Sequence, residues 1–134
     1  MEVPAGATYY AAGESIFTGT AARLEITVTV GERRKKSPVT LPQVSNVRVQ
    51  QGFLDSAEVL GEIANTSTTQ TLSGLARVTF VCLDGAGNVI GGGYTYVPGS
   101  GLPPGGRALF DTDAEGLQAS QIASVQVSVE PEYQ

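Results

Sequence analysis

The chain has 134 residues, enough for one domain with its own core and too few for two full sandwiches; its 17 glycines and 7 prolines separate short runs rich in Val, Thr, Ile and Tyr. A net charge of −5 counts against nucleic acid as a partner, because neutralising phosphates takes a concentrated positive face. The complete absence of histidine removes the usual proton-transfer side chain and commonest metal ligand, and with it every serine–histidine or cysteine–histidine nucleophile pair.

At the N-terminus, Met1-Glu2-Val3-Pro4 has neither the basic nor the apolar region of a secretory signal, and no run approaches the roughly eighteen apolar residues of a membrane span. Direct membrane insertion is therefore not expected. The strongest strand signal of the first forty residues is Arg23 to Val30, where Leu24, Ile26, Val28 and Val30 alternate with Arg23, Glu25, Thr27 and Thr29. Leu24 to Val28 can be laid on Val125 to Val129, and Gly13 to Thr18 on Gly106 to Asp111. Two readings of residues 1–40 follow: the closing strands of a truncated preceding repeat, or a strand extension native to a single domain. The basic cluster Arg33-Arg34-Lys35-Lys36 reads as a solvated loop, or as a contact for acidic groups of a partner or for anionic lipid.

From residue 41 to 134 the pattern is that of one sandwich domain. Val44 to Gln51 places Val47 and Val49 on one face and ends at the break Gly52 to Ser56. Glu58 to Asn65 puts Val59, Gly61 and Ile63 inward and Glu58 and Glu62 outward, and the polar stretch to Thr71 closes it. Ala76, Val78, Phe80 and Cys82 alternate inward against Arg77 and Thr79, so the single cysteine reads as a small buried apolar residue, not a reactive thiol. Asp84 to Asn88 favours a tight hairpin into Val89 to Val97. The triplet Gly91-Gly92-Gly93 lies inside that strand without a following Lys-Ser/Thr helix, and reads as a bulge or close backbone approach instead of a phosphate loop. Pro98 to Gly106 is expected to carry neither ladder nor helix, Arg107 to Asp111 to form a short strand, Asp111 to Glu115 an acidic loop, Gln118 to Ile122 one helical turn at most, and Ile122 to Glu130 the closing strand with Val125, Val127 and Val129 inward.

Val59-Leu-Gly-Glu-Ile-Ala-Asn65, Ala76-Arg-Val-Thr-Phe-Val-Cys-Leu-Asp84 leading into Gly87-Asn-Val-Ile90, and Leu102-Pro-Pro-Gly-Gly106 before Phe110 together resemble the FxLYD-type domains, over residues 42–130. The aromatic strand end of that family stands here as Val81-Cys82-Leu83-Asp84, without its tyrosine. The resemblance implies an all-β, antiparallel, immunoglobulin-like sandwich of about seven or eight strands. It also implies a location outside the cytoplasm, secreted or anchored in the cell envelope, and it carries no catalytic residues.

The expectation is therefore not an enzyme but a structural or interaction module, with a protein partner or self-association by strand addition, and no catalytic, cofactor or metal residue. The alternative is a carbohydrate or small-ligand module stacking sugars on loops that bear Tyr9, Tyr10, Tyr94, Tyr96 or Tyr133. Paired acids for glycoside hydrolysis, or a calcium site, would have to come from Asp111, Asp113 and Glu115. Their spacing superficially resembles the start of a calcium loop but lacks its glycine and distal glutamate.

Overall fold

The computed structural model describes residues 40–134, together with Thr27 and Thr29. The proposed unit 1–40 thus lies outside the described residues but for these threonines and Thr40. Eight strands follow in chain order: β1 (Gln43–Gln51), β2 (Ala57–Ala64), β3 (Leu72–Ser73), β4 (Arg77–Leu83), β5 (Val89–Tyr96), β6 (Gly101–Leu102), β7 (Arg107–Ala114) and β8 (Ser124–Val129). They form a three-stranded sheet β1-β2-β7, a second one β5-β4-β8, and a two-stranded ribbon β3-β6, every pairing antiparallel. This is the expected all-β sandwich.

The alternation read from the sequence sets the faces. Val59 and Ile63 of β2 and Phe110 of β7 meet Val78, Phe80 and Cys82 of β4 in a common core, each at most 2% exposed. Two of the inner-face glycines are seats for aromatic rings. A β-carbon at Gly61 would stand 2.5 Å from Phe110 Cε1, its direct cross-strand neighbour, and one at Gly93 would stand 3.0 Å from Phe80 Cζ. Around the glycine triplet, Cys82 pairs with Gly91 but Leu83 with Val89, which leaves Ile90 as an extra residue: a bulge, as the strand pattern anticipated.

A second bulge decides how β1 faces the core. Ser45 pairs with Glu62 and Arg48 with Leu60, so Asn46 and Val47 together oppose Gly61. Asn46 takes the left-handed conformation, φ 54°, which asparagine tolerates better than most residues. The extra residue lets Val44, Val47 and Val49 all pack against the core despite their uneven spacing.

Three expectations need correction. The acidic segment is no loop: β7 runs on to Ala114, with Asp111 paired to Leu60 and Asp113 to Glu58, because β2 supplies ladder partners along that whole length. The Pro/Gly-rich crossing does sustain a ladder, since Gly101 and Leu102 pair with Ser73 and Leu72. Gly101 sits at φ 118° where a β-carbon would be 2.3 Å from the Leu72 carbonyl, so only glycine brings the strands that close. Finally, Thr79, on the polar side of β4, is only 8% exposed, since β4 is the central strand and is flanked on both sides.

One buried side chain ties the connections together. Asn65, 1% exposed, donates from Nδ2 to the carbonyls of Gln70 (2.8 Å), Leu102 (2.9 Å) and Pro103 (3.1 Å), and its Oδ1 accepts the Ser67 amide at 2.9 Å. A buried amide with its capacity met this fully locks the loops on either side of it. At the same end the C-terminal residues pair with β3: the Ser73 amide donates to Glu132 and the Gln134 amide to Thr71, and the Tyr133 hydroxyl donates to the Thr40 carbonyl at 2.8 Å.

Candidate functional site

The residue types that could carry chemistry are dispersed by the fold. Asp111 and Asp113 project from the exposed face of β7, spaced along an extended strand, and Glu115 follows in the turn where Gly116 has φ 74°. Among the described residues no group of three Cys, Asp or Glu side chains is placed to hold a metal ion. Cys82 is fully buried among core side chains, and burial pushes its thiol pKa up, away from the reactive thiolate. Asp84 accepts three hydrogen bonds through its carboxylate. Its Oδ1 accepts the Ala86 and Asn88 amides and its Oδ2 the Asn88 side chain, while Gly87, at φ 83°, turns the chain. These bonds, led by the Asn88 side chain, hold its carboxyl below the ordinary range. They also account for the hairpin chemically, as a turn built on an aspartate.

The tyrosines do not gather on a loop. Tyr94 and Tyr96 lie within β5 with ring centroids 6.0 Å apart, edge to face, and the Arg77 guanidinium stacks 3.8 Å over the Tyr94 ring. The Tyr94 face is thus already covered from one side. Tyr133 closes the C-terminal segment, and Tyr9, Tyr10 and the basic cluster Arg33 to Lys36 lie outside the described residues.

What the fold does assemble is an open side. Each large sheet ends there on a strand paired on one side only among the described residues, β1 with β2 and β8 with β4. Between these two edges runs a cleft of about 350 Å³ whose apolar wall is Val47, Val49, Ile122 and Val125, with Arg48 and Ser124 at its margin. The inward side chains tell the same story. Val125 and Val127 of β8 point toward the core yet are only partly buried, whereas Val129, nearer the closed end, is 5% exposed. An edge strand with half-covered inner valines presents both an unpaired row of backbone N–H and C=O groups and an apolar seat beside it.

One end of this side carries a hydrophobic tip. The turn Phe53–Asp55 joins β1 to β2 and exposes Phe53 by 83% and Leu54 by 84%, with Leu54 in the left-handed region at φ 51°. Bonds from the Gly52 amide to the Ser56 carbonyl (2.7 Å) and from the Ser56 hydroxyl to the Phe53 carbonyl (2.6 Å) fix the turn. A branched apolar residue held in an unfavourable conformation with its side chain in solvent contributes little to the core. No local sequence signal marks the cleft or the tip: the valines of β1 and β8 look like any strand core until the pairing of the described strands is seen.

No helix among the described residues is long and apolar enough to cross a membrane. Comparison with protein-family models, curated proteins and solved structures gives no match to this chain.

Proposed function

We propose that the chain is a non-catalytic structural or interaction module of an extracytoplasmic protein, an immunoglobulin-like domain of the FxLYD type, which engages its partner by strand addition. The single observation that carries the reading is the β8 edge: a strand unpaired on one side among the described residues, beside a cleft walled by partly buried valines. Extended peptide added there gains ladder hydrogen bonds from β8, and its alternate side chains cover Val125 and Val127. The exposed Phe53 and Leu54 at one end of the same side supply an apolar anchor of the kind that dominates interface energetics. The extracytoplasmic location rests on the family resemblance of Val59 to Asn65, Ala76 to Ile90 and Leu102 to Phe110.

The test is amide exchange on the full chain with and without synthetic peptides of alternating apolar and polar residues. The β8 amides are expected to slow when such a peptide is present, and Val125→Lys, which puts a charge at the cleft wall, to abolish the effect. β8 amides that no peptide slows would refute strand addition, and fractionation placing the native protein in the cytosol would refute the location.

A further inference from the structure

We infer that the strand received by the β8 edge is Arg23–Val30 of a second copy of this chain, so that copies join head to tail. This rests on the strand-addition reading above and names its partner.

The complementarity is specific. Leu24, Ile26, Val28 and Val30 repeat the alternation of Val125, Val127 and Val129, so a strand laid beside β8 continues the inner face of the β5-β4-β8 sheet over the cleft. On the opposite face Arg23, Glu25, Thr27 and Thr29 continue the polar row Ser124, Gln126 and Ser128. An eight-residue alternation is long enough to pair with all six residues of β8. Within a single chain the pairing is not made by the residues described: Thr27 and Thr29 are exposed and stand outside every strand, and among the described residues β4 is the one strand that pairs with β8.

Charge favours the encounter of two copies. Residues 40–134 hold nine of the thirteen acidic residues and three of the eight basic ones, whereas four basic residues in a row, Arg33 to Lys36, follow the donor strand. A basic flank on the strand and an acidic receiving domain steer one copy onto the next, and salt weakens that steering. Donor strand and acceptor edge are different surfaces of the same chain, so the contact is heterologous and propagates unless the rotation closes a ring.

The experiment uses the full chain. Light scattering across a concentration series is expected to show mass growing in steps above the 13.9 kDa of one chain. Exchange of the β8 amides is expected to slow by at least about tenfold as the assemblies form. Ile26→Asp, which places a carboxylate on the apolar face of the donor, leaves only monomer, with β4 amides still protected to show that the sandwich is intact. Thr27→Asp, on the other face, assembles as the parent does. A chain that is monomeric at every concentration overturns the inference, whether its β8 amides are open or are closed by its own strand; so does an assembly that Ile26→Asp leaves untouched. A monomer whose β8 amides an added peptide slows overturns the pairing between copies while the strand-addition reading stands, and an edge that no peptide slows overturns both.

Discussion

Replacing Asn65 by alanine tests whether one buried amide holds the closed end of the sandwich together. The substitution leaves the backbone free to keep its own bonds to Gly105 and Gly106 and removes four side-chain bonds. Two of these, with the Ser67 amide and the Leu102 carbonyl, are fully buried, and the other two lie where water can reach. Orphaning a buried donor or acceptor costs about 1–3 kcal/mol each, while partners open to water lose little, so we expect a loss of about 3 kcal/mol. For a domain of this size that lowers Tm by about 12–24 °C and moves the urea midpoint without changing the slope. Asn65→Asp is the sharper variant. At neutral pH it sets a carboxylate against three carbonyls and should cost more than alanine. That carboxyl has a folded-state pKa raised above its unfolded value, so its relative stability is fully present below the unfolded pKa and is lost as pH rises through the folded one. An Asn65→Ala loss below about 1 kcal/mol, or an Asn65→Asp variant as stable as alanine at neutral pH, would refute the clamp.

Gly61→Ala drives a methyl into the Phe110 ring and is expected to cost about 1–3 kcal/mol by urea unfolding, with Phe110→Leu in the same chain recovering part of the loss by opening the space. Leu54→Gly relieves a left-handed leucine whose side chain packs on little, so it should be neutral or stabilising by up to about 1 kcal/mol, in contrast to an ordinary leucine truncation. Asp84 has a folded-state pKa held down first by the Asn88 side chain, so the stability it contributes is present above the ordinary carboxylate pKa and disappears as pH falls through its lowered value. NMR titration of the Asn88→Ala variant should find the Asp84 pKa moved back up toward the usual range.

Sequence alone determined the strands and their faces wherever the alternation of period two was clean. Val59, Gly61 and Ile63 of β2, Val78, Phe80 and Cys82 of β4, and the Asp84 to Asn88 hairpin were legible because each signal is local: which side of a pleat a residue takes, and which turn an Asp-Gly-Ala-Gly-Asn run can make. The candidate site was not legible. Asp111 and Asp113 looked like loop acids by composition and became strand residues only because β2 lies alongside them. Gly101 and Leu102 became a ladder only because Leu72 and Ser73 come within reach. By sequence Asn65 only ends a strand before a polar stretch, and its role as a clamp depends on carbonyls nearly forty residues away. The same holds for the edge on which the functional proposal stands. Val125 and Val127 carry the pattern of core valines, and tertiary structure alone shows that, among the described residues, β8 has a neighbouring strand, β4, on one side and none on the other, because whether an edge is paired depends on where distant segments pack and not on the residues that form it.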